Sequence, residues 1–232
     1  KRLIAAGAID GSATTPSGRS LADETESAHE TPGQKVVFTV EAPIKKSGGP
    51  VTGEVSFFRN AFTGYIFESF TGEEIDELQV VRYEQRDATF WGFEARAAFE
   101  VLETGERHLS VEGSADYVRA QVEPTSEPLP RIAPMRLGAA LHYRDSRFDA
   151  RAEVRRTEAQ DRVSEFESPT EGYSFINATV SYRIFGGSRT VTDLLLRGTN
   201  LTDSLGRNHV SYLKELVPLP GRDIRAAVRF RF

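Results

Sequence analysis

The last eleven residues of the chain alternate between apolar and mostly cationic positions. One alternate set is Ile224, Ala226, Val228, Phe230 and Phe232, and arginines fill most of the other. Because successive side chains of a β-strand point to opposite faces, this spacing predicts a strand with an apolar and a cationic face. In a soluble protein such an edge strand would invite aggregation. In a bacterial outer-membrane β-barrel, lipid covers the apolar face, the water-filled lumen takes the arginines, and closure removes the edge.

The same period of two recurs upstream and predicts about nine strands with no sustained helix. In the segment 93–101, for example, apolar residues alternate with Glu94, Arg96, Ala98 and Glu100. The predicted strands are 36–44, 51–67, 88–101, 108–119, 134–143, 148–155, 172–185, 190–200 and 224–232.

Short and long connections alternate between these strands. Short ones lie near 45–50, 102–106, 144–147 and 186–189, whereas long polar ones lie near 10–34, 68–87, 122–133, 158–171 and 201–221. Outer-membrane barrels have short periplasmic turns and long extracellular loops. The long connections are therefore predicted to be extracellular, and the last strand is predicted to end in the periplasm.

A soluble β-sandwich is the alternative fold, since it shows the same alternation of apolar and polar positions. The unequal connections and the terminal aromatic strand favour the barrel, because long structureless loops are uncommon in compact soluble domains. We expect the last strand's arginines, Arg225, Arg229 and Arg231, to pair with lumenal carboxylates, with an anionic substrate as the alternative partner. Candidate carboxylates on the inner face of other strands are Glu94, Glu112, Asp149 and Glu153.

Composition narrows the class of protein further. The chain has 232 residues, a net charge of −5 and no cysteine. The interspersed charge gives no basic footprint for nucleic acid, and the lack of cysteine excludes thiolate catalysis and Cys-ligated metal sites. No apolar run is long enough for a transmembrane helix, although barrel strands need none. The chain begins Lys1-Arg2-Leu3 without a signal peptide, so we expect a C-terminal fragment.

Motifs in the final third carry a resemblance to a known family. Asn200-Leu-Thr-Asp203 closes the penultimate strand, and Pro218-Leu-Pro-Gly-Arg222 leads into the last one. Together with the terminal Phe232, this combination resembles the C-terminus of TonB-dependent outer-membrane receptors. The segments 88–94 and 129–134 are similar to further elements of that family. The resemblance covers residues 34–232, and it is nearest to a subgroup that includes zinc, haem and iron-chelate receptors.

The resemblance implies an all-β fold, an antiparallel transmembrane β-barrel of about 22 strands around an N-terminal plug. This chain would hold about the last nine strands as a curved open sheet. Residues 1–33 would form an extracellular loop and the end of a preceding strand, residues 34–232 would form the C-terminal barrel portion, and the plug would be absent. The implied location is the outer membrane of a Gram-negative bacterium.

The resemblance also implies partners. Such receptors bind a small nutrient ligand outside the cell and import it with energy from the TonB–ExbB–ExbD complex, which acts through the plug. Outer-membrane lipid would surround the barrel, and the assembly machinery would engage the C-terminal strand. No nucleic acid is expected as a partner.

Candidate site residues fall into three groups. Asn200, Leu201, Asp203, Pro220, Gly221, Arg222 and Phe232 are expected to be structural members of the family motif, since Asn and Asp bind turn backbone through their side chains. A metal site is predicted at Glu26, His29 and Glu30, because imidazole with carboxylates suits zinc; an incidental histidine in a solvated loop is the alternative. Extracellular ligand-binding candidates are Asp161, Glu165 and His209, of which His209 is equally interpretable as a packing residue.

Catalysis finds no support in the sequence, which lacks a Gly-x-Ser-x-Gly elbow, a His-Glu-x-x-His motif and a phosphate-binding loop. The chain is therefore predicted not to be an enzyme and to need no cofactor. The predicted function is TonB-dependent uptake of a metal ion, an iron-siderophore or haem. An ungated porin, or an anchoring or adhesion barrel, is the alternative.

Overall fold

The computed structural model describes residues 35–46, 48–76, 78–186 and 191–232. The predicted metal-site residues Glu26, His29 and Glu30 lie outside these residues. The described part of the chain contains no helix long and apolar enough to cross a membrane. It forms nine strands: β1 (Lys35–Lys46), β2 (Val51–Ile75), β3 (Leu78–Thr104), β4 (Arg107–Val122), β5 (Arg136–Arg144), β6 (Phe148–Thr157), β7 (Tyr173–Gly186), β8 (Val191–Thr199) and β9 (Asp223–Arg231).

Each strand pairs antiparallel with the next, so the nine strands form one up-and-down sheet in the order of the sequence. In this order β1 and β9 are the two edges of the sheet. The prediction of an all-β antiparallel sheet of about nine strands is confirmed.

The tight β5–β6 turn shows how a local sequence fixes one of the hairpins. Asp145 Oδ1 accepts hydrogen bonds from the backbone N–H groups of Arg147 and Phe148, each at 2.8 Å. These two bonds, with one from the Tyr143 hydroxyl, lower the pKa of the Asp145 carboxyl. An Asp side chain that satisfies turn backbone in this way favours a short connection between antiparallel strands.

The register puts apolar and polar residues on opposite faces. Residues directly opposed in an antiparallel pair share a face, and one such row runs Val51, Phe99, Val111, Leu141 and Ala152. Phe99 is 47% exposed and Leu141 48% exposed. This face is therefore apolar yet uncovered by the chain itself, as expected of a surface that contacts lipid.

The opposite face is polar and forms a concave trough of about 1040 Å³. Some of its ion pairs link neighbouring or next-neighbouring strands, as in Arg151–Glu112 and Arg136–Asp116, each at 2.7 Å. The residues that line the trough include Glu94, Arg96, Glu112, Arg136, Arg151 and Arg155. Such a charged inner face matches the predicted water-filled lumen.

Two of the three arginines of β9, Arg225 and Arg231, pair with carboxylates, but with different ones from those expected. Arg231 Nη2 lies 2.7 Å from Asp193 of the adjacent strand β8, and Arg225 Nε lies 2.6 Å from Asp223 of its own strand. The expected partner Glu112 instead binds Arg151, which is closer in the sheet. Ion pairs thus form between near neighbours, because long side chains reach across one or two strands but not across a wide trough.

The prediction of a long loop at 68–87 is wrong. Strands β2 and β3 continue as a two-stranded hairpin to Ile75 and Leu78, well beyond the end of β4, where Val122 pairs with Ala88. At about 3.4 Å per residue, the ten residues from Ala88 to Leu78 extend about 30 Å past that point. Such a projection carries polar residues on both faces, so the hydrophobic alternation that marks a half-buried strand is lost.

Candidate functional site

Three loops and the β2–β3 hairpin meet at the end of the sheet that carries the long connections. They are the β4–β5 loop (123–135), the β6–β7 loop (158–172), the β8–β9 loop (200–222) and the hairpin (64–76 and 78–87). We call this assembly the loop cap. Its contacts are a small apolar base and an extensive polar network.

The apolar base forms where the β4–β5 loop folds back over the polar face of the sheet. Leu129 is 2% exposed and packs with Ala88, Ala120 and other inner-face residues, and Ile132 contacts the same cluster. The Leu129 N–H donates to the Ala120 carbonyl at 3.2 Å. Because Ala120 lies four residues from Asp116 on the same strand, it shares the lumenal face. The loop therefore covers that face.

Arg131 connects this loop to two other parts of the cap. Its guanidinium forms an ion pair with Glu68 of the hairpin, and both side chains are largely buried. The same guanidinium lies 3.6 Å from the ring centroid of Tyr212 in the β8–β9 loop, a cation–π contact. A single side chain thus contacts both the hairpin and the last loop.

Glu167 is the most highly connected buried group of the cap, with a side chain 1% exposed. Its Oε1 accepts hydrogen bonds from the Arg131 backbone N–H at 2.9 Å and from Lys214 Nζ at 3.1 Å, and its Oε2 accepts from Ser164 N and Oγ at 3.2 Å. His209 Nε2 lies 3.2 Å from Oε1, close enough for an ion pair but without the alignment of a hydrogen bond.

These partners keep the Glu167 carboxyl ionised despite its burial. Burial alone raises its pKa, but His209, the Arg131 N–H, Lys214 and the Ser164 N–H together lower the pKa to about 2. A buried carboxylate with several donors is held in place by all of them at once.

The predicted ligand-binding residues are placed differently from one another. His209 is 2% exposed, and its Nδ1 lies 2.9 Å from Thr170 Oγ1, so its imidazole packs between two loops. Asp161 and Glu165 are exposed on the β6–β7 loop. Within the described ranges, no group of three or more His, Asp or Glu side chains is arranged to hold a metal ion.

Sequence reasoning missed Glu167 and Lys214, which join the two longest loops. They lie 47 residues apart in irregular segments without a period or a motif. One general rule could have pointed to them: charged side chains that are buried in a folded protein are almost always paired. That rule applies only once burial is known.

The family-motif residues form a compact turn between β8 and β9. Asn200, 2% exposed with φ +47°, accepts from Ser204 N at 2.9 Å and donates Nδ2 to the carbonyls of Ser204 and Pro220 at 2.9 and 3.2 Å. Asp203 Oδ1 accepts from Arg222 N at 2.8 Å. The start and the end of the β8–β9 loop are thereby joined.

Leu201 and Gly221 adjoin this turn, whereas Phe232 lies beyond the far end of β9. Leu201 donates its N–H to the Ile176 carbonyl at 2.8 Å, and a Cβ added to Gly198 would lie 2.5 Å from its Cδ2. A Cβ at Gly221 would lie 2.9 Å from Asp203 Oδ1, which favours glycine there. Phe232, at the end of the chain, is 99% exposed.

A family model described as TonB dependent receptor-like, beta-barrel, matches residues 37–201. The chain belongs to the TonB-dependent receptor family. The match covers most of the sheet, from β1 to the beginning of the turn after β8. This confirms the resemblance drawn from the sequence motifs and the prediction that the chain is a receptor barrel and not an enzyme.

Solved structures of this family share the fold of the described sheet. The copper transporter OprC aligns with a TM-score of 0.70 and 19% identity, covering 83% of this chain and 31% of that one. The FrpB iron transporter from Neisseria meningitidis aligns with a TM-score of 0.60 and 14% identity, covering 83% and 30%. The ferric-catecholate import receptor Fiu from K12 E. coli aligns with a TM-score of 0.57 and 18% identity, covering 83% of this chain and 27% of that one. This TonB-dependent receptor chain thus spans less than a third of the length of each of these proteins.

Short, partial matches to an enzyme also occur. Dihydroxy-acid dehydratase from Roseiflexus castenholzii is 49% identical over 49 residues, and that from Thermus thermophilus is 52% identical over 52 residues. Each match covers about a fifth of this chain, 21% and 22%, and 9% of the enzyme. Because each match covers only 9% of the enzyme, it carries no argument for dehydratase activity.

Proposed function

We propose that this chain is the C-terminal barrel portion of an outer-membrane receptor that imports a scarce nutrient into a Gram-negative bacterium. The nutrient is a metal ion, an iron-siderophore or haem, and the TonB complex supplies the energy through a plug encoded elsewhere in the receptor. Membership of the family, with its metal-transporting structural neighbours, is the observation that carries this proposal.

The two faces of the sheet support this role. The apolar face suits contact with lipid, and the ion-paired trough suits the wall of a solvated lumen. The loop cap is folded over the lumenal face at the end where long loops occur. In a complete barrel this arrangement would place the cap across the outer entrance, where it would meet an incoming ligand first.

A growth assay tests the proposal. The full-length gene is deleted from its host, and growth is measured with zinc chloride, cupric chloride, ferric citrate or haemin as the limiting nutrient. We expect growth on one of these to require both the receptor and TonB. Growth that needs the receptor but not TonB would favour an ungated porin, and normal growth of the deletion strain on all four would contradict the uptake role.

The metal hypothesis concerns residues outside the described structure and stays a prediction. Full-length receptor with His29→Ala is expected to bind zinc more weakly than the unaltered receptor, as measured by calorimetry. His209→Ala is the informative comparison, because the buried His209 packs between loops and its loss should disturb the cap rather than remove a metal ligand. If His29→Ala bound zinc as tightly as the unaltered receptor, His29 would not be a zinc ligand.

A further inference from the structure

Resting on the uptake role proposed above, we infer that Glu167 is a positioning residue that joins the three loops and the hairpin into a single lid. The four segments would then open and close over the lumen as one body rather than as independent loops.

Glu167 contacts all three loops directly. Within its own β6–β7 loop it binds Ser164, in the β4–β5 loop it accepts the Arg131 N–H, and in the β8–β9 loop it accepts Lys214 Nζ. Lys214 also donates to the Ser168 carbonyl at 2.7 Å, and its side chain is 7% exposed. A buried ion pair of this kind fixes the relative position of the segments that supply its two partners.

The same network of contacts also reaches the hairpin. The guanidinium of Arg131, whose backbone N–H binds Glu167, pairs with Glu68. The ring of Phe166, next to Glu167, packs against Gly72, where an added Cβ would lie 3.2 Å from the ring. An isolated two-stranded hairpin is marginally stable in water, so its position depends on such contacts.

The backbone around Glu167 is held in unfavourable conformations at two residues. Arg131 and Phe166 have φ values of +55° and +60°, in the left-handed region that costs non-glycine residues energy. Both residues flank the Glu167 contacts, and the strained conformations persist only where surrounding contacts hold them. A lid closed chiefly by polar contacts can also separate into water without exposing much apolar surface.

The test uses full-length receptor in detergent and amide hydrogen exchange of the four segments. The variant is Glu167→Gln, and the matched control is Glu171→Gln, which alters an exposed carboxylate of the same loop. Loss of a charge-assisted network should raise exchange about tenfold or more in all four segments. The double variant Glu167→Gln with Lys214→Met should exchange less than Glu167→Gln alone, because no buried lysine is then left unpaired.

The second readout is uptake, measured as KM and maximal rate for whichever of the four nutrients supports TonB-dependent growth. In Glu167→Gln we expect faster exchange in all four segments together with altered uptake kinetics. In Glu171→Gln we expect neither change. Faster exchange confined to 158–172, or joint loosening with unchanged uptake, would overturn the positioning role. Failure of the unaltered receptor to support growth on any nutrient would instead refute the uptake role, and exchange alone would then decide whether the segments are coupled.

Discussion

Replacing Asn200 tests whether the turn after β8 holds the β8–β9 loop together. Asn200→Ala removes three side-chain hydrogen bonds, to Ser204 N, Ser204 O and Pro220 O. Each contributes about 1 kcal/mol. Alanine at φ +47° adds a cost of about 1 kcal/mol relative to asparagine. Since the losses are not fully additive, the expected destabilisation is about 2–4 kcal/mol.

A substitution series separates the two contributions. Asn200→Gly relieves the backbone cost and should be about 1 kcal/mol less harmful than alanine. Asn200→Asp keeps the acceptor but places a carboxylate oxygen against two carbonyls, so it should be at least as harmful as alanine. Asn208→Ala, at an exposed asparagine of the same loop, is the control and should stay within about 0.5 kcal/mol of the unaltered protein.

The assay is urea unfolding of full-length receptor refolded into lipid vesicles, followed by the heat-dependent gel shift of the folded barrel. If Asn200→Ala unfolds at the same urea concentration as Asn208→Ala, the turn does not stabilise the loop and the reasoning fails. If glycine is as harmful as alanine, the hydrogen bonds account for the whole effect and the backbone argument is wrong.

Three further predictions follow from the strands and the cap. Gly92→Ala should block folding, because the added Cβ would lie 2.1 Å from the backbone carbonyl oxygen of Tyr117. Gly113→Ala is the control: no atom lies within 4 Å of its added Cβ, so this variant should fold normally in the same gel assay. Leu141→Arg should lower the free energy of unfolding in vesicles by about 2–4 kcal/mol, because Leu141 faces lipid. If Leu141→Arg destabilised the protein less than Leu141→Ser, the lipid-facing assignment would be wrong. The folded-state pKa of Glu167 is depressed from 4.5 to about 2. The stability that the ionised carboxylate contributes to the cap is therefore complete above pH 4.5 and is lost as the pH falls towards 2. Amide hydrogen exchange of the cap should rise over this pH range, and it should rise less in Glu167→Gln than in the unaltered receptor.

The sheet was accessible from the sequence because its signal is local. Strand residues alternate between lipid and lumen, so the period of two marks both the strand and its faces wherever the strand crosses the membrane. The segments containing Phe99 and Leu141 follow this rule and were predicted correctly. The β2–β3 hairpin beyond Ala88 was mistaken for a loop, since polar surroundings on both sides remove the alternation that identifies a strand.

Neighbouring residues and short motifs such as the one at Asn200 were enough to predict the strand segments, their two faces and the family. Which loop residues meet is visible only in the folded chain. Arg131 lies 63 residues from Glu68, and Lys214 lies 47 residues from Glu167. No periodicity in the sequence relates such distant positions. They meet because the loops fold back over the sheet, and this folding buries the charged side chains and brings their partners within reach.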